Sequence, residues 1–142
     1  MKIQKFKKKN FNSVVDLLNR NLTKFSPKIF FYNKICKKFL LQKNLYAVVA
    51  VQKNIVRGYG SIFFEKKIRG GTIGYIEDVA VENDFQSHGI GKKIISKLTK
   101  FGKKINCYKI VLQCRKKSNI RFYKKCGYST GGFVMQKIFT KN

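Results

Sequence analysis

The sequence predicts an α/β domain, and three observations support this class. An apolar, strand-like segment at residues 45–52 is joined to a second one, residues 55–67, by the turn Lys53-Asn54, which is typical of a β-hairpin. From Gly89 onward the apolar residues recur every three or four positions, as in an amphipathic helix. The length of 142 residues, 44% of them hydrophobic, suits one domain with a buried core. We therefore expect residues 1–142 to form a single α/β domain.

Two helices are predicted before the hairpin, after a short strand near residues 2–6. Apolar residues at helical spacing predict the first helix over residues 11–22. The second helix is expected to begin with Ser26 as N-cap and Pro27 at the first helical position. Its apolar stripe is predicted to contain Phe30, Phe31, Ile35 and Phe39.

A third strand, residues 72–81, is expected after the hairpin and the turn Arg69-Gly70-Gly71. Gly58 and Gly60 in the preceding strand indicate either bulges or a close approach of another element. Alternation along residues 72–81 predicts two faces. One face contains Ile73, Tyr75, Glu77, Val79 and Val81, and the other contains Ile76, Asp78 and Ala80.

The second half of the chain is predicted to alternate helices and strands. An amphipathic helix should run from about Ile90 to Ile105, with lysines on its solvent face. Residues 106–114 are predicted to form a strand, and a short helix follows that ends with Gly127 at its C′ position. Residues 133–139 should form a last strand, which gives the order β-α-α-β-β-β-α-β-α-β.

The composition is strongly basic, with 32 Lys and Arg against 6 Asp and Glu and a net charge of +26. Such a charge favours nucleic acid as a partner, because contacts to phosphate supply most non-specific affinity. A genome rich in A and T is an alternative cause, since Lys, Asn, Ile, Phe and Tyr have A/T-rich codons and only five basic residues are Arg. An acidic small-molecule substrate, steered by the charge, is a third possibility. On balance the composition argues against a nucleic-acid partner.

Several classes of site are excluded by what the chain lacks. Its four cysteines, Cys36, Cys107, Cys114 and Cys126, have no CxxC spacing, so we expect no metal site and no disulfide framework but reduced, mostly buried thiols. A single histidine, His88, excludes a multi-histidine metal site. No apolar run approaches the roughly 18 residues of a membrane span, and no signal peptide is recognisable. These observations predict a cytoplasmic protein without a membrane partner.

Four of the six carboxylates lie close together, directly before a glycine-rich turn. They are Glu77, Asp78, Glu82 and Asp84, and the turn is QSHGIGK. A strand that leads through such a turn into a helix forms a cradle of backbone N–H groups for an anion. It is not a P-loop, because GxxxxGK[ST] is absent, and an ordinary turn that needs positive φ also explains its glycines.

The motif Gln86-x-x-Gly89-x-Gly91, after a strand of the form VAV, resembles the pyrophosphate loop of the GNAT acetyltransferases. GYIEDVAV, FQSHGIGKKII, NCYKI, NxxFYKKCGY and VMQ resemble the branch of that family that acetylates glucosamine 6-phosphate, whereas the first 70 residues match weakly. The resemblance implies a GNAT fold, a mixed central sheet with a splayed strand pair flanked by helices. It also implies a homodimer that transfers acetyl from acetyl-CoA to the amine of glucosamine 6-phosphate, toward UDP-N-acetylglucosamine.

The resemblance also implies which residues bind acetyl-CoA. The backbone of residues 79–82 would pair with the pantetheine arm, the amides of residues 87–92 would hold the pyrophosphate, and Asn119 would contact the cofactor. The N–H of Val79 would stabilise the oxyanion, and Tyr123 would donate a proton to the departing sulfur, unless it is only a half-buried aromatic. The cofactor residues are thus Val79, Ala80, Val81, Glu82, Ser87, His88, Gly89, Ile90, Gly91, Lys92, Asn119 and Tyr123.

On the acceptor side, the resemblance assigns Glu77 and Asp78 to the amino sugar, with pairing to lysines as the alternative. Glu82 and Asp84 receive no side-chain role, and Asp84 is expected to cap the turn or to be solvated. Gln113 replaces the acidic residue that usually assists the amine, and the segment after Cys114 is one residue longer than usual. Thr23 and Lys67 match phosphate-binding positions, and Lys137 lies beside Ile138, where the family has an arginine.

Two other functions remain open at this level. One keeps the fold and the cofactor but uses another amine acceptor, such as a polyamine, an aminoglycoside or a protein amine. The other is a basic RNA-binding module that has lost catalysis, which Gln113 in place of an acid would permit.

Overall fold

The computed structural model describes residues 1–22 and 27–139. Short 3₁₀ turns at residues 8–10, 29–31 and 83–85 precede the first three α-helices. The strands and helices follow in the order β1 (Lys2–Lys5), α1 (Phe11–Asn21), α2 (Tyr32–Leu40), β2 (Leu45–Gln52), β3 (Ile55–Lys66), β4 (Thr72–Val81), α3 (Ile90–Lys104), β5 (Cys107–Leu112) and α4 (Lys117–Lys125). This order confirms every predicted element except the last strand.

The five strands form one sheet in the order β1-β2-β3-β4-β5. All neighbours are antiparallel except β4 and β5, which are parallel. Helices α1 and α2 cover one face, where Leu17 and Val49 are completely buried. Helix α3 covers the other face through Ile94 and Leu98, which are also completely buried. Helix α4 adds Phe122 and Tyr123 to the edge of that second core.

The β2–β3 hairpin forms as the sequence predicts. Lys53 and Asn54 have positive φ angles of 48° and 63°, which a two-residue turn between twisted strands requires. Both explanations of the β3 glycines are confirmed, because the strand register shifts beside Gly58 and Gly60. A Cβ atom at either position would also lie within 3.0 Å of Ile94. The glycines therefore allow α3 to pack directly on the backbone of β3.

The predicted faces of β4 are wrong in their second half. Between Glu77, which lies opposite Ser61, and Ala80, which lies opposite Tyr59, β4 has one residue more than β3. Asp78 has a φ of 53°, so this extra residue forms a β-bulge. The bulge reverses the alternation, and Ile76 therefore shares the α3 face with Val79 and Val81, while Ala80 packs toward α1.

The start of α2 also differs from the prediction. Ser26 lies outside the described residues, and Pro27 precedes Lys28, which is the N-cap of the 3₁₀ turn. Because α2 begins only at Tyr32, its inward stripe consists of Tyr32, Cys36 and Phe39. The predicted stripe residues Phe30, Phe31 and Ile35 are exposed instead.

Residues 133–139 form no strand, contrary to the prediction. A strand needs a neighbouring edge to bond its backbone, and this segment pairs with none in the described part of the chain. Its apolar side chains Phe133, Met135 and Phe139 are at least 86% exposed. Within the described ranges, no helix has the length and apolar character to cross a membrane.

The four cysteines are free thiols, as predicted, but only Cys36 is buried. The other three, Cys107, Cys114 and Cys126, are half-buried. The expectation of mostly buried thiols is therefore wrong, because these three lie on β5 and around α4, where the sheet is covered on one face only.

Candidate active site

The site centres on an opening between the parallel strands β4 and β5. Their pairing ends where Ile76 lies beside Leu112, although β4 continues for five more residues to Val81. The bulge at Asp78 turns the strand at the point where the pairing stops. The sheet is therefore splayed here, and β4 presents an unpaired edge toward β5.

The direction of one hydrogen bond shows which backbone groups of β4 face the opening. The N–H of Glu82 donates to the carbonyl of Arg57 in β3, at 2.8 Å. Because N–H and C=O groups alternate between the two sides of a strand, those of Val79 and Val81 point away from β3 and into the opening. The Gln86 side-chain amide donates to the Val81 carbonyl at 3.2 Å. Val79 thus offers both backbone groups to a ligand, whereas the Glu82 N–H is used within the sheet.

A cradle of backbone amides adjoins the end of this edge. Ser87 and Gly89 have positive φ angles of 66° and 76°, which turn successive N–H groups toward one side. The first helical hydrogen bond runs from the N–H of Lys93 to the Gly89 carbonyl at 3.0 Å. In the described ranges, the amides of residues 87–92 donate to no backbone carbonyl. They point where the α3 dipole is positive, an arrangement that favours an anion with several oxygens.

The two glycines of the cradle are needed for different structural reasons. Gly89 is the N-cap of α3 and needs its positive φ, with open space around the position of a Cβ atom. Gly91 lies against α4, where an added Cβ would be 3.1 Å from the Phe122 ring. Gly89 therefore shapes the cradle, and Gly91 allows α4 to close over it.

Tyr123 on α4 lies at the side of the opening. Its ring packs edge-to-face against Phe122 and Tyr128, and the Tyr128 hydroxyl is hydrogen-bonded to Thr99 on α3 at 2.7 Å. Burial raises the pKa of Tyr123, and the nearby Cys114 and Cys126 raise it further. Its hydroxyl has no hydrogen-bond partner in the described part of the chain. Tyr123 is therefore a neutral hydroxyl that is fixed at the ring and free to donate a proton.

Asn119 lies four residues before Tyr123, so both side chains share one face of α4. Its own N–H donates to the carbonyl of Lys116, at 2.9 Å, and this bond closes the first turn of the helix. Its side chain is exposed and available to a ligand in the opening.

Glu77 and Asp78 lie where β4 leaves β5. The hydroxyl of Ser61 donates to the Glu77 carbonyl at 3.1 Å, which holds the backbone just before the bulge. Desolvation raises the pKa of both carboxyl groups, and the charge of Asp78 raises the pKa of Glu77 further. Arg115 acts in the opposite direction and lowers the pKa of both. The two side chains reach solvent, but the protein around them removes part of their hydration.

The sequence matches the acetyltransferase (GNAT) family over residues 11–128, which is most of the chain. The chain belongs to this GNAT acetyltransferase family. Its mixed five-stranded sheet, the splayed β4–β5 pair and the flanking helices confirm the predicted GNAT fold.

Named relatives support a particular branch of the GNAT family. Glucosamine 6-phosphate N-acetyltransferase 1 of Dictyostelium discoideum is 40% identical over 93 residues, which are 64% of this chain and 59% of that protein. The match therefore spans about three fifths of that relative. The crystal structure of glucosamine-6-phosphate N-acetyltransferase from Arabidopsis thaliana superposes with a TM-score of 0.88 at 28% identity, with 98% of each chain covered.

A more distant GNAT structure shares the fold. It is an acetyltransferase from Clostridium acetobutylicum that was crystallised with acetyl-CoA. Its TM-score is 0.76 at 22% identity, with 96% of this chain and 95% of that chain covered.

The GNAT opening does not bring all predicted acceptor residues together. Gln113 directly follows β5 and is exposed. Lys137 lies in the exposed tail, with its ammonium 5.9 Å from the Phe139 ring. Lys67 forms an ion pair with Glu65 at the far end of β4. The backbone of Lys67 is at least about 15 Å from Glu77 along the strand, at about 3.3 Å per residue. Its ammonium reaches back to within 5.9 Å of the Tyr75 ring, two residues from Glu77. Thr23 lies outside the described residues.

The other two carboxylates of the acidic segment have different surroundings. Asp84 is exposed, which confirms the expectation of a solvated side chain. Glu82 received no side-chain role from the sequence, but it forms an ion pair with Arg20 of α1 at 2.9 Å. This pair joins α1 to the end of β4 and fixes the approach to the amide cradle.

Sequence reasoning missed three contributors to the site. They are Arg115, the Gln86 side chain that caps Val81, and Arg20. Two of them had a sequence signal, because Gln86 opens the predicted glycine-rich motif and Arg115 lies in the segment that is one residue longer than usual after Cys114. Arg20 is 62 positions from its partner, a separation that no local pattern indicates.

Proposed function

We propose that this GNAT acetyltransferase transfers the acetyl group of acetyl-CoA to the amine of glucosamine 6-phosphate. The product would be N-acetylglucosamine 6-phosphate, on the way to UDP-N-acetylglucosamine. The observation that carries the proposal is the splayed β4–β5 opening, with unpaired backbone amides at Val79 and in residues 87–92 and with Glu77 and Asp78 at the point where the pairing ends. The names of the Dictyostelium and Arabidopsis relatives support the amino-sugar phosphate as acceptor.

The residues at the opening fit acetyl-CoA. The free N–H and C=O of Val79 suit the amide groups of a pantetheine arm, with Ala80, Val81 and the Glu82 carbonyl completing the strand. The amides of residues 87–92 suit the pyrophosphate, as six N–H groups at a helix N-terminus supply both donors and positive potential. Asn119 would contact the cofactor from α4. Acetyl-CoA supplies an activated thioester, and its hold here would come mostly from backbone atoms.

Two groups of the chain would assist the transfer of the acetyl group. The N–H of Val79 points into the opening, so it would donate to the thioester oxygen as negative charge develops there; a comparable donor is worth about 3 kcal/mol. Tyr123, kept neutral by its raised pKa, would donate its proton to the sulfur that leaves. Both groups are held in place before the substrate binds.

Glu77 and Asp78 would bind and orient the amine of the sugar. They are also the groups that could accept a proton after attack, directly or through water. Gln113 stands where the family usually has an acidic residue, and its amide cannot accept a proton at neutral pH. A strong base is dispensable, because the pKa of an amine beside an electron-withdrawing carbon is close to that of an α-amino group, about 8. Part of the amine is therefore already neutral at neutral pH.

The protein would act as a homodimer. The exposed apolar side chains of residues 133–139 support this, because a second chain would give the segment the neighbouring edge that it lacks. Lys137 and Lys67 would then contribute to the phosphate end of the acceptor site. Thr23 is proposed for the same role. Light scattering of the full chain and of a chain that ends at residue 132 would test the assembly.

The activity is tested by thiol release from acetyl-CoA with glucosamine 6-phosphate, glucosamine, spermidine and a lysine peptide as acceptors. A reaction without acceptor corrects for the four cysteines of the protein. Release with glucosamine 6-phosphate well above the other acceptors is the expected result. Faster release with spermidine or with the peptide would show that the acceptor is a different amine. Absence of thiol release, together with saturable binding of RNA, would favour the RNA-binding alternative.

A further inference from the structure

Arg115 lies in the short connection of residues 113–116 between β5 and α4. Because β4 and β5 are parallel, their carboxyl ends meet at the same edge of the sheet, and Arg115 follows β5 there as Glu77 and Asp78 follow the paired part of β4. Two bonds to the Lys116 carbonyl hold the connection, from the Cys114 thiol at 3.1 Å and from the Asn119 N–H at 2.9 Å. The backbone of Arg115 is therefore fixed, while its side chain is exposed.

The guanidinium of Arg115 is close to the two carboxylates but not in contact with them. Its charge lowers the pKa of both Glu77 and Asp78, which places it within electrostatic range of each. Yet it forms no ion pair with a carboxylate in the described part of the chain. Arg115 and the two carboxylates thus lie near the same end of the β4–β5 pair, and in the described ranges neither carboxylate neutralises Arg115 through an ion pair.

Three other basic residues have different surroundings. Arg20 is paired with Glu82, and Lys67 is paired with Glu65 at the far end of β4. Lys137 lies in the exposed tail. Arg115 is the described cation that acts on both carboxylates of the opening.

An amino-sugar phosphate is itself bipolar, with an ammonium at one end and a phosphate at the other. A site for it needs both signs of charge, separated by the length of the sugar. Glu77 and Asp78 match the ammonium, and a guanidinium matches the phosphate because its planar fork donates two parallel hydrogen bonds. We propose that Arg115 binds the phosphate of the acceptor sugar and thereby selects phosphorylated over free amino sugars. This proposal rests on the proposed function.

The test compares kcat/KM for glucosamine 6-phosphate with kcat/KM for glucosamine in four proteins. They are the wild type, Arg115→Gln, Arg115→Lys and the control Arg121→Gln, which removes an exposed arginine of α4. The ratio of the two values should fall about 10- to 100-fold in Arg115→Gln, the effect of losing a charged hydrogen bond. Arg115→Lys should recover part of it, because charge remains but the fork does not, and Arg121→Gln should keep the wild-type ratio.

A second readout is inhibition by glucose 6-phosphate, which has the phosphate but no amine. Its Ki should rise in Arg115→Gln by a factor similar to the fall in the ratio. An equal loss with both sugars and an unchanged Ki would overturn the proposal, since Arg115 would then act only through the carboxylates. A wild type that acetylates neither sugar would overturn the proposed function and this proposal with it, whereas an active wild type with an unchanged ratio in Arg115→Gln overturns this proposal alone.

Discussion

The two proposed binding regions at the β4–β5 opening use different groups of the chain, backbone in one and side chains in the other. The proposed cofactor side consists of backbone groups from two stretches that are close in sequence, Val79 to Val81 on β4 and the turn at residues 87–92. The acceptor side consists of side chains, with Glu77 and Asp78 from β4 and Arg115 from the β5–α4 connection. Backbone geometry follows from a short motif, whereas a set of distant side chains does not. Under the proposed function, the cofactor would therefore be recognised by shape, and the acceptor by charge.

The largest effect should come from Tyr123, the proposed proton donor on α4. Tyr123→Phe removes the proton donor but keeps the ring packing against Phe122 and Tyr128. Turnover should fall about 100-fold, the usual contribution of a positioned acid, while the KM for acetyl-CoA changes less than about twofold. Steady-state kinetics checks both values.

Tyr128→Phe is the matched control, because it also deletes one phenolic oxygen but affects only the bond to Thr99. It should lower stability by about 1 kcal/mol and leave turnover nearly unchanged. Unchanged turnover in Tyr123→Phe would contradict a proton-donating role.

The second effect isolates the acceptor side. Asp78→Asn keeps the positive φ of the bulge, which Asn tolerates, but removes one charge. We expect kcat/KM for glucosamine 6-phosphate to fall about 10- to 100-fold with little change for acetyl-CoA, because a charged hydrogen bond to the amine is lost. Asp84→Asn makes the same change at an exposed site and should have no measurable effect.

The same variant makes a prediction about pH. The raised pKa values mean that the folded state binds these protons more tightly than the unfolded chain, so ionisation of the carboxyls costs stability as pH rises through that range. Asp78→Asn should thus melt at or above the wild-type temperature at neutral pH. Because the charge of Asp78 raises the pKa of Glu77, removing it should lower that pKa. The fall of kcat/KM on acidification should therefore begin at a lower pH in Asp78→Asn than in the wild type. A lower melting temperature with an unshifted pH profile would show that Asp78 is structural.

A third effect isolates the cofactor side. Gly89→Ala forces a side chain onto a φ of 76°, which costs about 1–2 kcal/mol and should displace the amides of the cradle. The KM for acetyl-CoA should rise about fivefold, with a smaller change for the sugar. Gly70→Ala has the same kind of strain at a φ of 92° in the β3–β4 turn, away from the opening. If both variants raised the KM for acetyl-CoA equally, the cradle would have no special part in binding.

The smallest effect is expected at Gln113. Gln113→Asp adds a carboxylate beside the acceptor amine and should raise kcat/KM about two- to threefold below pH 7, where less of the amine is neutral. Gln113→Asn, which shortens the side chain without charge, is the control. A flat or lower pH profile for Gln113→Asp would show that this enzyme needs no base at that position.

The sequence predicted most of the fold because most elements depend on local signals. The Lys53-Asn54 turn, the cradle with Gly89 and the helix end at Gly127 each have the positive φ that their residue types allow. The faces of β4 were predicted wrongly, because the bulge at Asp78 is set by the pairing with β3 and has no local signal. The predicted strand at residues 133–139 failed for a related reason, since a strand exists only beside another edge.

The candidate site divides in the same way. The residues proposed to act through their backbone, such as Val79 and Ser87, lie at the open edge of β4 and in the cradle, and their roles stay predictions. Lys67 is paired with Glu65 and stays a prediction for the acceptor phosphate, whereas Arg115 was not singled out at all. Side-chain sites that join separate elements need the tertiary arrangement before they can be recognised.

The most direct test of this division is amide NMR of the ¹⁵N-labelled protein, first with acetyl-CoA and then with CoA plus glucosamine 6-phosphate, a pair that does not react. Acetyl-CoA should shift the amides of Val79, Val81 and residues 87–92, and the sugar phosphate should then shift Glu77, Asp78 and Arg115. Shifts confined to the lysine-covered outer face of α3, or sugar-dependent shifts that leave Glu77, Asp78 and Arg115 unchanged, would contradict the account.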